Sequence, residues 1–420
     1  MQQLDNFQIE KLLGEGSFGQ VYLTTRKGDP KKYATKKLDR KTIDSSDARK
    51  YLENEIIVLQ YLNHPNIVKF IDLKKTTNHY YIMMEYANGG ELSKNLEKYM
   101  DKYNKAFSEE IVQYLMRQII DAFKYIHGLK IIHRDVKLDN ILLHYENEED
   151  KKNLNIMKAQ VKIIDFGFAC MIGPNGLKYT ALGSPINMDP LILKKLTSQN
   201  KKVRQLGYNE KADIWSLGTI CYEMLIGKSA FNAEDMTELV EKVENGSYSI
   251  PTNISYEMAS FLNGMLQYSA DKRLTASQLS RHTFLTKNVN QFKKIDLKQI
   301  SNEKKSGMII VNSKDTDTFM KNKSIWSIFD KDAETILTGI LPGQFVNNID
   351  DKEDIEIKKG IKESRVELPT TNTIPDNPTD IKVTGMTKDE LDNVQKGAEA
   401  NNVNIKEVNY TFNGNIFDAI

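Results

Sequence analysis

Cysteine is nearly absent from this 420-residue chain: Cys170 and Cys221 are the only two, and they lie far apart. Two distant thiols make no disulfide framework and suit a reducing compartment. No uninterrupted apolar run approaches the ~20 residues that a membrane helix needs. Charge of one sign is not in excess either. The chain has 58 basic and 57 acidic residues, a net charge of +1, which speaks against a nucleic-acid surface or a polybasic membrane patch. Met1 to Glu10 holds no basic segment followed by an apolar one, Phe417-Asp418-Ala419-Ile420 is no prenylation box, and no internal repeat is present. These absences predict a cytoplasmic protein with no membrane span and no nucleic-acid partner. At this length, with 40% hydrophobic residues, one large or two to three ordinary domains with substantial cores are expected.

What is present is a change of period along the chain. Phe7-Gln8-Ile9-Glu10, Val21-Tyr22-Leu23 and Tyr33-Ala34-Thr35-Lys36 alternate as strands do. Leu52, Ile56 and Leu59 then recur at helical spacing, with Ser45, Ser46 and Asp47 as cap candidates. Strand-like runs return at Ile67–Ile71 and Tyr80–Met84. Beyond Gly89-Gly90 the pattern is helical: Ile111, Leu115, Ile119, Phe123 and Ile126 mark one amphipathic helix. Trp215, Leu217 and Cys221 to Leu225 mark another, apolar nearly all round and so buried. The expectation is an α+β chain, a small strand-rich lobe followed by a larger helical one. From about residue 286 Lys, Asn, Asp and Ser dominate, and Pro369, Pro375 and Pro378 punctuate a polar stretch. Thr387-Lys388-Asp389-Glu390 is a capping-box pattern followed by a strand-like Val403–Phe412, so the tail reads either as disordered or as ending in a small helix–strand element.

The chemistry concentrates in two strings, His133-Arg134-Asp135-Val136-Lys137-Leu138-Asp139-Asn140 and Asp165-Phe166-Gly167. Asp135 can accept a hydroxyl proton, Lys137 can sit against a phosphate, and Asn140 with Asp165 can hold Mg²⁺, which prefers hard oxygen donors completed by substrate phosphates. Gly14-Glu15-Gly16-Ser17-Phe18-Gly19-Gln20-Val21 lies between two strand patterns, whereas a dinucleotide fingerprint would open a helix. A glycine hairpin lets backbone N–H groups approach phosphate oxygens. Glu55 falls on the apolar face of the Leu52–Leu59 helix, where a carboxylate needs a buried partner. Lys36 is the candidate, although any single lysine is more commonly a solvated one.

In this order the strings resemble the eukaryotic protein-kinase family over residues 7–285. The resemblance implies a bilobal α+β fold: an N-lobe at 1–86, a C-lobe at 87–285, a polar, largely disordered linker at 286–386 and a small element at 387–420. It implies transfer of the γ-phosphoryl of ATP, with Mg²⁺, to serine or threonine hydroxyls of protein substrates. Asp135, Lys137, Lys36 and Glu55 would be catalytic, and Asn140 and Asp165 the metal ligands. Leu13, Gly14, Gly16, Gly19, Val21, Ala34, Lys36, Met84, Glu85, Ala87, Glu91 and Leu142 would surround ATP, Met84 as gatekeeper and Glu85-Tyr86-Ala87 as hinge. Lys137 two places after Asp135, and Gly183-Ser184-Pro185, are the serine/threonine forms of these elements. Phe168-Ala169, Thr180, Gly207-Tyr208 to Ile220 and an enlarged loop between Asn140 and Asp165 resemble the ULK, autophagy-initiating, group. All five catalytic and metal positions are filled, which separates this reading from a binding domain of the same fold without turnover. The tail is a candidate binding segment for a regulatory protein.

Two positions depart from the family. Asp189-Pro190-Leu191 stands where Ala-Pro-Glu is expected, which deprives Arg273 of its glutamate. Water, or an acid other than Asp189, is the expected replacement, because Asp189 lies two residues from the usual position. Arg134 would meet a phosphate on Thr180, but Cys170 replaces the usual second cation, so phosphorylation should order the loop less strongly. Tyr179 and Ser184 are weaker phosphorylation candidates; the plainer role of Ser184 is a hydroxyl near Asp135. Glu91 and Asp139 would flank the peptide groove and favour a basic substrate residue, or serve as a ribose contact and a solvated loop acid.

Overall fold

The alternating N-terminal segments form an antiparallel sheet. The computed structural model describes residues 7–16, 19–44, 48–171, 183–251, 253–292 and 308–312, all within one compact unit. Strands β1 (Phe7–Gly16), β2 (Gly19–Arg26) and β3 (Asp29–Asp39) run directly into a short helix α1 (Arg40–Asp44), then α2 (Ala48–Tyr61). β4 (Phe70–Lys75) and β5 (His79–Glu85) complete the sheet, in the order β1-β2-β3-β5-β4. Gly16 pairs with Gly19, so the glycine string is the expected hairpin. Leu52 and Ile56 of α2 are buried in a cluster with Leu38, Leu73, Tyr80 and Ile82 of the sheet, which sets the helix against it. The expected strand at Ile67–Ile71 is displaced: β4 begins at Phe70. Ile67 instead bridges Ile163 of the helical lobe, and the Val68 N–H donates to the Ile163 carbonyl at 3.0 Å.

The second lobe opens with the two-residue β6 (Gly90–Glu91), α3 (Leu92–Tyr103) and α4 (Glu109–Gly128). Ser108 caps α4 by accepting the Ile111 N–H, with Glu109 and Glu110 in its first turn facing the helix dipole. β7 (Ile131–Ile132), β8 (Ile141–His144), helix α5 (Glu148–Lys152), β9 (Gln160–Ile163) and β10 (Cys170–Met171) carry the loops of interest. α6 (Pro190–Thr197) and α7 (Lys201–Arg204) precede α8 (Lys211–Ile226). α8 is buried from Ala212 to Tyr222 and ends at Gly227, whose φ of 81° is the left-handed cap that glycine adopts freely. α9 (Met236–Asn245), β11 (Ser247–Pro251), α10 (Tyr256–Met265), α11 (Ala276–Ser280) and α12 (Thr283–Thr286) follow. Among the described residues no helix is long and apolar enough to cross a membrane. The fold is a β-sheet lobe followed by a helical lobe, as the change of period predicts.

One stretch assigned to the polar linker behaves differently. Met308-Ile309-Ile310-Val311-Asn312 forms β12, antiparallel to β11 in register from Ser247↔Asn312 to Pro251↔Met308. An apolar island in a polar tail thereby completes a sheet that β11 cannot form alone. A chain ended after Phe292 should melt several degrees below one ended after Ser313, since each lost ladder bond is worth on the order of 1 kcal/mol net. Equal melting temperatures, measured by circular dichroism, would remove β12 from the folded unit. Thr387–Glu390 and Val403–Phe412 lie outside the described residues.

Candidate active site

The catalytic string hangs from a buried carboxylate that its own sequence does not contain. Asp213, 1% exposed on α8, accepts the His133 N–H and Arg134 N–H at 2.9 Å each and the His127 Nε2–H at 2.9 Å. Burial alone would push the Asp213 carboxyl up; the hydrogen bond and charge of His127, aided by His133 and the Arg134 N–H, hold it below its ordinary range. These bonds hold Arg134 at φ 71°, a left-handed conformation uncommon outside glycine.

Asp135 follows, 5% exposed, with four donors on its two oxygens. Oδ1 accepts the Ser184 N–H at 2.9 Å and the Ser184 hydroxyl at 2.6 Å. Oδ2 accepts Asn140 Nδ2 at 2.9 Å and pairs with Lys137 Nζ at 3.0 Å. Burial raises the carboxyl pKa, but the bonds from Ser184 and Lys137 outweigh it and keep the group ionised below the usual carboxylate range. Ser184 is thus the hydroxyl near Asp135 that the sequence suggests. Its approach depends on Gly183, at φ 118°, where a Cβ would run into the Arg134 carbonyl.

Across the cleft, Lys36 Nζ meets both carboxylate oxygens of Glu55 at 3.0 Å. Burial pulls the lysine pKa down, yet the charges of Glu55 and Asp165 more than offset it, so the ammonium stays protonated. Glu55 is pushed up chiefly by its burial, with Asp165 adding to the rise and Lys36 opposing it. Asp165 is exposed at φ 63°, and its Oδ1 accepts the Gly167 N–H at 3.3 Å. Phe166 is fully buried against His133, the ring centroids 4.8 Å apart at 63°. The Asn54 side-chain amide donates to the Ala169 carbonyl, and Cys170 pairs with Ile132 across β10 and β7. The chain just after the metal string is therefore fastened twice, to α2 and to the strand before the catalytic string.

Asn140 spends its Nδ2 on the carbonyl and carboxylate of Asp135, at 2.8 and 2.9 Å, which orients its oxygen away from them. With the exposed Asp165 carboxylate it offers two hard oxygens. Among the described residues no three His, Cys, Asp or Glu side chains converge on a point. The donor set fits a Mg²⁺ held by two protein oxygens and completed by phosphate and water, the usual manner for that ion.

The remaining predicted residues line the two lobes. Leu13, Gly14, Gly16 and Gly19 lie on the β1–β2 hairpin, and Val21 pairs with Lys36. Ala34 lies opposite Met84, and Leu142 opposite Glu91. Met84, Glu85 and Ala87 join the lobes, but the Glu85 side chain turns to the rear, where Lys162 Nζ meets it at 2.7 Å, so only its backbone is available in front. Glu91 pairs with Lys94 at 2.7 Å, and Asp139 accepts the Ser93 hydroxyl at 3.0 Å. Glu223, not anticipated from the sequence, joins this acidic group: burial, with the charge of Asp139, pushes its carboxyl up to about 7. Its only signal was a carboxylate inside the apolar run Cys221–Leu225. The Arg134 guanidinium donates to the Phe168 carbonyl and reaches the Tyr208 hydroxyl at 3.5 Å. Thr180 and Tyr179 lie outside the described residues.

One expectation is corrected. Arg273 pairs with Asp189, not with water or another acid. Asp189 is the N-cap of α6: its Oδ1 accepts the Leu191 and Ile192 N–H groups, at 2.7 and 3.2 Å, and its Oδ2 meets Arg273. Sequence distance misleads here, because a helix start aims its cap carboxylate inward just as the following turn would aim a glutamate. The remaining guanidinium donors go to the carbonyls of Gln267 and Lys211 at 2.7 Å and Tyr268 at 3.2 Å, and the group lies 5.1 Å from the Trp215 ring centroid.

The family model described as the protein kinase domain matches residues 7–285. The chain is 29% identical to a probable myosin light chain kinase of Dictyostelium discoideum, over 68% of its own length and 85% of the relative's. It is 32% identical to myosin light chain kinase A of the same organism, over 67% of this chain and 88% of that one. The identity is also 32% to its serine/threonine-protein kinase atg1, over 69% of this chain but 41% of the relative. With the model spanning both lobes and the matching order of motifs, the chain belongs to the protein kinase family.

Proposed function

We propose that this kinase transfers the γ-phosphoryl of Mg-ATP to serine and threonine hydroxyls of proteins. The observation that carries the reading is the four-donor setting of Asp135, with Lys137 and Ser184 on the same carboxylate. A hydroxyl brought to Asp135 would lose its proton to a base already ionised and aimed. Lys36, fixed by Glu55, would hold the nucleotide phosphates, with the Gly14, Gly16 and Gly19 hairpin above them. A Mg²⁺ held by Asn140 and Asp165 would neutralise charge on those phosphates. Relatives named serine/threonine-protein kinases support the hydroxyl class. At the level of group, the ULK resemblance has the atg1 relative behind it, and the same identity to a myosin light chain kinase leaves autophagy as a substrate question. Cytoplasmic residence and a regulatory partner for the tail belong to the same proposal and rest on cysteine usage and tail composition. Purified full-length protein incubated with Mg-ATP and mixed protein substrates should yield phosphoserine and phosphothreonine by mass spectrometry, above a Lys36→Met control. Phosphotyrosine alone, or nothing above the control, would overturn the reading.

Glu91, Asp139 and Glu223 place three carboxyls along one side of the helical lobe. A positional peptide library is expected to show a basic residue favoured N-terminal to the phosphorylated position by about fivefold to tenfold in kcat/KM, the equivalent of about 1–1.4 kcal/mol. Glu223 is neutral below about pH 7 and charged above it, so the preference should strengthen between pH 6 and pH 8. A library without basic bias at either pH would return these acids to plain surface roles.

A further inference from the structure

The chain is close to neutral overall, yet its lysines are not spread evenly. Behind the hinge, on the side to which the Glu85 side chain turns, lies a recess of about 1290 Å³ whose floor includes the buried Leu23 and the half-buried Ile71. Its walls come from the β-lobe and from the enlarged loop between Asn140 and Asp165, which the catalytic reading leaves unexplained. That loop is built: Asn147 caps α5, and Asn88 next to the hinge donates to the Tyr145 carbonyl and accepts its N–H, both at 2.8 Å.

The charges in the recess sort into two groups. Lys162 is paired with Glu85 at 2.7 Å and Lys151 with Glu148 at 3.0 Å, so these four cancel. Lys11, Lys31, Lys32 and Lys69 also line it, all exposed, and none of them forms an ion pair among the described residues. These four exposed lysines, with the Asp29 carboxylate near Lys31 and that of Glu148 near Lys32, lie over an apolar floor. They are complementary to a segment that carries carboxylates around one or two apolar side chains. A flat bilayer would leave that recessed floor unfilled.

We infer that this recess docks an acidic, extended segment of a protein partner or substrate, separate from the phosphotransfer site. It contacts the hinge from behind through the Glu85 side chain, whereas ATP would use the Glu85 backbone. Beyond the hinge it shares no residue with those assigned to ATP, metal or catalysis, so it would raise substrate affinity without altering turnover. The enlarged loop then has a role as one wall of the dock.

The test uses the full-length protein and a fluorescein-labelled decapeptide of aspartates and glutamates with two leucines, followed by fluorescence anisotropy. Saturable binding is expected, weakening steeply with added salt. The combined Lys11→Glu, Lys31→Glu, Lys32→Glu, Lys69→Glu variant should bind at least tenfold more weakly. A Lys32→Ala, Lys69→Ala variant should lose about threefold and serves if the first folds poorly. Phosphotransfer to a short peptide without acidic residues should be unchanged in both variants. The same peptide with lysines in place of its acids should not bind. No saturable binding, equal binding by wild type and variants, or tighter binding of a decameric oligouridylate would each overturn the inference. Absence of phosphotransfer in the wild type would refute the kinase reading alone, since docking is read without ATP.

Discussion

Replacing Asp135 with asparagine is expected to lower kcat by about two to four orders of magnitude, the usual worth of a positioned general base. The shape of the site survives the change. Ser184 still has an oxygen to donate to, while Asn140 and Lys137 face an amide NH₂ of the same size that cannot accept their bonds. What is lost is the negative charge, and with it the capacity to take a proton. KM for ATP should therefore move little, since Lys36, Glu55 and the hairpin are untouched. The pH profile supplies a second readout. The folded carboxyl lies below its ordinary range, so it is ionised throughout the neutral range, and its share of the rate should fall only as pH drops through that lowered value. The stability carried by its hydrogen bonds follows the same sign: present above the unfolded pKa, lost as pH falls through the folded one. A variant retaining more than a tenth of wild-type kcat, measured with saturating Mg-ATP, would remove Asp135 from the role of base.

The parts legible in the sequence are those whose chemistry sits in short, ordered strings. Asp135, Lys137 and Asn140 fall within six residues, so their meeting on one carboxylate follows from a single turn of chain. Lys36 and Glu55 could be paired because a carboxylate on an apolar helix face demands a partner. The parts that escaped depend on chain returning from far away. Asp213, some 80 residues from the string it orients, reads in sequence as the opening of a buried helix and nothing more. Glu223 acquires its character from burial and from Asp139, neither visible in a list of residues. Met308–Asn312 was lost in a polar average, since four apolar residues in a row fold only when an unpaired edge such as β11 awaits them. The strand expected at Ile67 misled for a related reason: an apolar run says that a segment is buried, not which lobe it pairs with.

The Arg273–Asp189 pair should produce a large stability effect. Both groups are almost fully buried, at 2% and 3% exposure, so removing either leaves the other as an uncompensated charge in a low-dielectric interior. Arg273→Ala is expected to cost about 3–5 kcal/mol and to lower the melting temperature by roughly 10 °C. Three carbonyls and the Trp215 ring lose their partner in the same step. Asp189→Ala would confuse two effects, because that carboxylate also caps α6, and an N-cap alone is worth about 0.5–2 kcal/mol. Asp189→Asn separates them: the amide oxygen can still accept the Leu191 and Ile192 N–H groups, while the charge on Arg273 goes unanswered. The pair is then measured by a double-mutant cycle with Arg273→Met, which fills much of the same volume without charge. If the ion pair links α6 to the loop before α11, the double variant should be more stable than the summed single losses predict, by about 1–3 kcal/mol. Strict additivity would mean that Arg273 is held by its carbonyls and by Trp215, with Asp189 serving α6 alone.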